Sequence, residues 1–214
     1  MKYKTAVFDM DGTVLNTLGD LTYAMNYALR HFGMREVQGE EMKKNLGNGA
    51  RYLVENTVPE GTSKETVEQF LSFYMSYYES RGAVETAPYE GIVELFETLR
   101  QNGITACIVS NKPDGAVQDL SEKFFNGYPA IGERPAVRRK PAPDMVWTML
   151  DELQAQRDTA VYIGDSEVDV ETAAAAGLPC IAVTWGFRTR QELIESGATE
   201  IVDTVAELCE HLLA

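Results

Sequence analysis

Short, almost wholly apolar segments recur along this chain, and segments with helical periodicity separate them. The clearest apolar runs are residues 5–8, 104–109, 160–163 and 180–183, with weaker candidates at 129–131 and 200–202. Runs that are apolar almost throughout are typical of parallel strands that are covered on both faces. Because these runs alternate with helical patterns, the sequence predicts an α/β fold built on a parallel sheet.

Residues 16–86 follow a different pattern. Apolar side chains recur there at helical spacing, and no convincing strand interrupts them; the first set is Leu18, Leu21, Met25, Leu29 and Phe32. We therefore predict a helical cap at 16–86, inserted after the first strand. The remaining segments, 1–15 and 87–214, are predicted to form the core that carries the parallel sheet.

The charge of the chain excludes some classes of partner. Its 214 residues carry a formal net charge of −14, which disfavours binding to nucleic acid or to an anionic membrane surface. No apolar stretch approaches the ~18 residues of a membrane span. The three cysteines fit no zinc pattern, and reduced thiols are typical of a cytoplasmic protein. A small anionic substrate would require cations gathered at its site.

Polar residues stand where the predicted strands end. Asp9 and Asp11 follow the first apolar run, Ser110 and Asn111 follow the run at 104–109, and Asp165 and Asp169 follow the run at 160–163. Lys140 is predicted to open the helix before that last strand. Ligands of open α/β sheets bind outside the carboxyl ends of the strands, so we expect these groups at one edge.

Such a group of residues would suit phosphoryl chemistry with a metal ion. Several carboxylates in a small volume repel one another, and a cation such as Mg²⁺ relieves that repulsion while binding a substrate phosphate. Lys140, Ser110 and Asn111 supply donors for a phosphoryl group. Of two neighbouring carboxylates, one can attack phosphorus, and the other can serve as general acid and then base.

Each motif taken alone has a structural explanation. Asp9 to Gly12 could be an acidic turn, Ser110 and Asn111 could cap a helix, and Asp165 and Asp169 could favour a helix N-terminus. Lys140 alone could be a solvated surface charge. The occurrence of all four motifs in one chain, in this order, favours a functional site.

These motifs resemble those of the haloacid dehalogenase-like superfamily. The matching residues are Asp9-Met10-Asp11-Gly12-Thr13, Ser110-Asn111, Lys140-Pro141 and Gly164-Asp165-Ser166-Glu167-Val168-Asp169. The resemblance implies a Rossmann-like core with a helical cap. It implies Mg²⁺ bound by the Asp9 side chain, the Asp11 main-chain carbonyl and Asp165, with Asp169 supporting them. It also implies that Asp9 is the nucleophile, that Asp11 is the acid and base, and that Ser110, Asn111 and Lys140 hold the phosphoryl group.

Within the superfamily, two further stretches resemble bacterial phosphoglycolate phosphatases. The first is Gly47-Asn48-Gly49-Ala50-Arg51 in the cap, and the second, near the C-terminus, is Trp185-Gly186-Phe187-Arg188 followed by Glu192-Leu193 and Gly197-Ala198. Asn16-Thr17 departs from the Asp-Ser that is common there. The resemblance implies 2-phosphoglycolate as substrate, and Asn48, Gly49 and Arg51 could receive its carboxylate. The alternative is a helix start with Arg51 in solvent.

Several other functions remain open at this stage. A β-phosphoglucomutase-like phosphomutase would share the chemistry, although Thr13 stands where those mutases have Val. Another small substrate, such as a sugar phosphate, a nucleotide or pyrophosphate, is also compatible. A dehalogenase would lack Asp11, and a non-catalytic protein would not need the complete set of motifs. We expect a small phosphorylated metabolite as the partner of a monomer or homodimer.

Overall fold

A six-stranded parallel sheet is the main feature of the computed structural model, which describes residues 2–214. The strands are β1 (Thr5–Phe8), β2 (Leu15–Asn16), β3 (Ala87–Pro88), β4 (Thr105–Pro113), β5 (Ala130–Glu133), β6 (Ala160–Gly164), β7 (Cys180–Val183) and β8 (Glu200–Val202). The large sheet has the order β5-β4-β1-β6-β7-β8, and β2 pairs with β3 separately. The predicted α/β fold with a parallel sheet is confirmed.

The strands form because their side chains are buried on both faces. Every residue of β1 and of β6 is buried. Phe8 pairs in parallel register with Ile108 of β4 and with Ile163 of β6, so β1 lies between these two strands. The two-residue strands β2 and β3 were not predicted, because such short segments carry no periodicity.

Besides a short 3₁₀ helix at Arg157–Thr159, ten α-helices accompany the strands of residues 2–214. They are α1 (Leu18–His31), α2 (Gly39–Lys43), α3 (Gly49–Glu55), α4 (Lys64–Arg81), α5 (Ile92–Gln101), α6 (Asp114–Phe125), α7 (Asp144–Glu152), α8 (Glu167–Ala176), α9 (Arg190–Glu195) and α10 (Val205–Leu213). Lys140 does not open a helix as predicted, since α7 begins only at Asp144. Lys140 instead lies in the preceding loop. Within residues 2–214, no helix has the length and apolar character needed to cross a bilayer.

The chain separates into two compact units. One contains the residues up to Asn16 together with Pro88–Ala214, and the other is Thr17–Ala87. The first unit holds the large sheet, and the second holds helices α1 to α4. The helical segment lies between β2 and β3, and therefore after the first strand of the large sheet, as predicted.

The helical unit has its own core and its own buried polar anchor. Phe70 and Tyr74 of α4 are buried, as are Met25 and Leu29 of α1, and these two helices pack together. The side chain of Asp20 is completely buried. Its carboxylate accepts hydrogen bonds from the main chain that follows α4, which fixes the end of the unit onto its first helix.

Candidate active site

Asp9 and Asp11 lie at the carboxyl end of the central strand β1. The main-chain N–H of Asp9 donates to the carbonyl of Ile163 at 2.9 Å, which extends the pairing with β6 by one residue. The chain then turns at Gly12, whose φ of +89° favours glycine. The side chain of Asp9 is therefore held at the sheet edge, where it is buried.

Lys140 reaches Asp9 from a loop more than a hundred residues later. Its Nζ lies 2.6 Å from Asp9 Oδ1 and 2.9 Å from Asp169 Oδ1. The side-chain amide of Asn111 binds both main-chain groups of Lys140, donating to its carbonyl at 3.0 Å and accepting from its N–H at 2.8 Å. Asn111 therefore holds the lysine loop in place as well as lying at the site.

Asp169 is held at the N-terminus of α8. Its Oδ2 accepts hydrogen bonds from the main-chain N–H groups of Asp165 and Ser166, at 3.2 and 3.1 Å, and from the Ser166 hydroxyl at 2.7 Å. Its Oδ1 accepts from Lys140 Nζ and from the Tyr162 hydroxyl. Both oxygens are thus engaged by the protein, which suits Asp169 to organising the site.

Asp165 is packed against main chain on two sides. Its Oδ1 accepts from the Thr13 hydroxyl at 2.8 Å, and its Oδ2 accepts from the N–H of Phe187 at 2.7 Å. A Cβ at Gly12 or at Gly186 would overlap the carboxylate of Asp165. Glycine is therefore required at both positions for the carboxylate to lie where it does.

Burial and neighbouring charges shift the pKa values of the ionisable groups in this site. Burial, and then repulsion from Asp169, raise the pKa of Asp9 well above its usual range, although Lys140 opposes the shift. Burial and Asp169 likewise raise the pKa of Asp165 to about 7, against the hydrogen bonds from Phe187 and Thr13. Burial alone would lower the pKa of Lys140, but Asp169 and Asp9 outweigh it and raise that pKa.

A divalent cation fits this set of residues. One oxygen from each of Asp9, Asp165 and Asp169 lies within 4.8 Å of the other two. One ammonium group does not balance three carboxylates, and burial together with repulsion from Asp169 raises the pKa values of Asp9 and Asp165. Oxygen donors of this kind suit a hard cation such as Mg²⁺.

The remaining predicted residues fall into two groups. Ser110 is buried in β4, next to β1, and its hydroxyl accepts from the N–H of Lys112 at 3.2 Å. Asn48, Gly49 and Arg51 lie in the helical unit, where Asn48 directly precedes α3 and Gly49 is the first residue of that helix. The Arg51 guanidinium binds both carboxylate oxygens of Glu68, at 2.6 and 2.9 Å. These three residues therefore form a helix start, and Arg51 is paired within its own unit.

Two further residues of the site, Lys112 and Tyr162, were not predicted from the sequence. Lys112 is buried, and its Nζ lies 3.1 Å from Asp11 Oδ1. The hydroxyl of Tyr162 lies 3.0 Å from Lys140 Nζ. The signals in the sequence were a lysine directly after Ser110-Asn111 and a single polar group inside the apolar run at 160–163.

Comparison with known proteins gives a consistent set of relatives. A family model described as "Haloacid dehalogenase-like hydrolase" matches residues 6–183. Phosphoglycolate phosphatase 1 of Pseudomonas aeruginosa is 30% identical over 213 residues, which cover 96% of this chain and 78% of that protein. The phosphoglycolate phosphatase of Rhodospirillum rubrum is 28% identical over 219 residues, covering 98% of this chain and 90% of that protein.

A solved structure is similar over its whole length. A protein from Lactobacillus delbrueckii subsp. bulgaricus, provisionally named a phosphoglycolate phosphatase, is 40% identical to this chain. It superposes with a TM-score of 0.95 and covers 100% of both chains.

Proposed function

The chain belongs to the haloacid dehalogenase-like hydrolase family, and on that premise we propose that it is a Mg²⁺-dependent phosphatase that hydrolyses 2-phosphoglycolate. The observation that carries the proposal is the contact of Lys140 Nζ with both Asp9 and Asp169, beside Asp165. This arrangement supports the proposal because it would supply a nucleophile, a fixed cation and a metal-binding carboxylate at the edge of a parallel sheet. Such an edge is where α/β folds bind their ligands.

The metal is proposed to be bound by Asp9, Asp165 and the main-chain carbonyl of Asp11, with Asp169 supporting them. When bound, Mg²⁺ would offset the negative charge of the transferring phosphoryl group. Lys140 contributes to the same electrostatic stabilisation from a fixed position. Ser110 and Asn111 are proposed to hold the phosphoryl group with Lys140.

The chemical roles fall to the two acids that follow β1. Asp9 attacks phosphorus, so that a bond forms between its carboxylate oxygen and phosphorus while the bond to the leaving oxygen breaks. Asp11 gives its proton to that oxygen and later takes one from the attacking water. Water then displaces the Asp9 carboxylate, which releases inorganic phosphate and restores both acids.

The substrate is proposed from the relatives and from the charge of the chain. Relatives named phosphoglycolate phosphatases match nearly the whole chain. A small anion suits a protein whose net charge of −14 opposes binding to large polyanions. Arg51, with Asn48 and Gly49, is proposed to recognise the second anionic group of this substrate.

The proposal is tested by assaying the purified protein with Mg²⁺ on a panel of phosphate esters. The panel contains 2-phosphoglycolate, p-nitrophenyl phosphate, a hexose phosphate, a nucleoside monophosphate and pyrophosphate. We expect release of inorganic phosphate, fastest from 2-phosphoglycolate at low concentration. Asp9→Asn should abolish it, whereas Asp151→Asn, which changes an exposed acid, should not.

Three outcomes would contradict the proposal. The first is absence of phosphate release with any divalent metal. The second is an Asp9→Asn variant that keeps its activity. The third is conversion of the hexose phosphate into an isomer in place of hydrolysis, which would identify a phosphomutase.

A further inference from the structure

Tyr162 connects the apolar core to the active site. It lies in the middle of β6, in parallel register with Val7 of β1, and it is completely buried. Its ring belongs to an apolar cluster with Val7, Cys107, Val146 and other residues on one face of the sheet. Its hydroxyl extends from this cluster to Lys140 and Asp169.

Packing does not explain the hydroxyl. Phenylalanine would fill nearly the same space in the cluster, and a buried hydroxyl costs free energy unless it is hydrogen-bonded. Here the hydroxyl donates to Asp169 Oδ1 at 3.1 Å and accepts from Lys140 Nζ at 3.0 Å. Its hydrogen-bonding capacity is therefore used on two residues of the site.

The hydroxyl also completes the surroundings of the lysine. An ammonium group has three N–H donors, and the acceptors around Lys140 Nζ are Asp9, Asp169 and Tyr162, at 2.6, 2.9 and 3.0 Å. Each acceptor comes from a different element: the end of β1, the start of α8 and the middle of β6. Of the three, Tyr162 is fixed by the packing of its ring in the core.

We infer that Tyr162 is a positioning residue for phosphoryl transfer, whose hydroxyl fixes the Lys140 ammonium against the nucleophile Asp9. The inference rests on the proposed phosphatase function. It assigns to a core residue of β6 a part in the reaction that it performs without touching the substrate.

The consequence is a separation between binding and catalysis. Removing the hydroxyl leaves the charges of Lys140, Asp9 and Asp169 in place, so attraction of the substrate phosphate should persist. The alignment of Asp9 for attack should suffer, because the same ammonium holds its carboxylate. Loss of a partner that orients a reacting group reduces activity steeply.

The test is Tyr162→Phe, assayed with Mg²⁺ on the best substrate of the panel. We expect kcat to fall about 10- to 100-fold, the size typical when an outer partner of a site is removed. KM and the Kd for inorganic phosphate, measured by calorimetry, should stay close to those of the unmodified protein.

The matched control is Val146→Ala, which removes buried apolar contacts from the same cluster without touching Lys140. Melting temperatures of both variants are measured. If Val146→Ala loses kcat to the same extent as Tyr162→Phe, the effect is structural and the inference is overturned. It is also overturned if Tyr162→Phe keeps kcat within about twofold of the unmodified value, well below the loss expected, or raises KM alone.

Failure of the proposed function would look different, because the unmodified protein itself would then release no phosphate. If Tyr162→Phe does not fold, Tyr162→Met replaces it, since methionine adapts to core space without a hydroxyl. The same loss of kcat at constant KM is required of that variant. If neither variant folds, the hydroxyl serves folding, and the inference is overturned.

Discussion

The ammonium nitrogen of Lys112 lies 3.1 Å from Oδ1 of Asp11, and only 4% of the lysine side chain and 16% of the aspartate side chain are exposed. The charges are therefore poorly screened by solvent. Asp11 is the proposed acid and base, so its position decides where protons are given and taken. Lys112, two residues beyond Ser110 on β4, is placed to hold it.

A double-mutant cycle tests whether Lys112 acts through Asp11. Lys112→Met should lower kcat/KM about tenfold, which corresponds to a loss of about 1.4 kcal/mol of transition-state stabilisation. Asp11→Asn should slow the reaction more and leave the Kd for inorganic phosphate nearly unchanged. In the double variant, the loss of Lys112 should add little, because its partner is already neutral. The measurement is kcat/KM for all four proteins.

Two results would refute this relationship. Additive losses in the double variant would mean that Lys112 acts independently of Asp11. A large rise of the phosphate Kd in Asp11→Asn would mean that Asp11 binds the phosphoryl group and does not transfer protons.

Arg51 is the second charge whose role can be tested. Its guanidinium donates to both carboxylate oxygens of Glu68. To bind a substrate carboxylate, Arg51 would therefore have to release Glu68. Arg51→Ala should raise KM for 2-phosphoglycolate far more than for p-nitrophenyl phosphate, which has no carboxylate. Glu68→Gln should lower KM for 2-phosphoglycolate, because it removes the nearer of the two carboxylates that pair with Arg51 and leaves Glu55 at 3.5 Å. Equal effects on the two substrates would leave Arg51 as a structural residue of α3.

The buried carboxylate of Asp20 should stabilise the helical unit. One oxygen accepts from the N–H groups of Val84, Glu85 and Thr86 at 3.0, 2.9 and 2.8 Å, and from the Thr86 hydroxyl at 2.7 Å. Arg81 Nε donates to the other oxygen at 3.2 Å. Asp20→Asn should lower the free energy of unfolding by about 2 kcal/mol at pH 7, seen as a lower melting temperature.

That stabilisation should depend on pH. Burial favours a higher pKa for Asp20, but the hydrogen bonds from Thr86, Glu85 and Arg81 outweigh it and lower the pKa. A lowered pKa means that the stabilisation is complete above about pH 4, the usual value for the unfolded chain, and is lost as the pH falls through the folded pKa. The gap in melting temperature between Asp20→Asn and the unmodified protein should therefore narrow below about pH 4.

Glu79→Gln, at an exposed position of α4, is the control and should show no such gap. A gap that is constant with pH would contradict this account.

Much of the fold was readable from the sequence because apolar runs and strands coincide. The runs at 5–8 and 180–183 are β1 and β7 residue for residue. By contrast, β4 continues past its apolar run to Pro113 with a shift of register after Val109. Polar Ser110, Asn111 and Lys112 carry no strand signal, so pairing with neighbouring strands decides their conformation.

Only part of the site could be predicted from the sequence, because contacts between distant residues decide the rest. Asp9, Lys140, Asp165 and Asp169 lie close together in the structure. The orientation of each side chain depends on partners that are distant in sequence. The contact of Tyr162 with Lys140 spans 22 residues, and that of Thr13 with Asp165 spans 152. The pattern of residue types along the sequence does not indicate which distant side chains contact each other.

The stability of the metal-free protein should fall as the pH rises through neutrality. Burial and Asp169 raise the pKa of Asp165 to about 7, above the value of about 3.9 in an unfolded chain. The folded protein therefore holds a proton that the unfolded chain has released between these values. Stability from this group is complete below about pH 4 and is lost as the pH rises through about 7. Asp9, whose pKa is also raised, acts in the same direction.

Removal of metal with a chelator should accordingly make the melting temperature fall between pH 5 and pH 8 by at least about 3 °C, the shift that corresponds to roughly 1 kcal/mol in a chain of this size. Mg²⁺ should restore more stability at pH 8 than at pH 5, because at pH 5 it competes with bound protons. Scanning calorimetry with chelator and with Mg²⁺ measures both effects. Asp165→Asn is the control: its metal-free form cannot titrate at this position, so its melting temperature should fall less over the same range. An equal fall in that variant would show that Asp165 does not hold the proton. Equal stabilisation by Mg²⁺ at both pH values would show that the metal does not compete with a proton on Asp165.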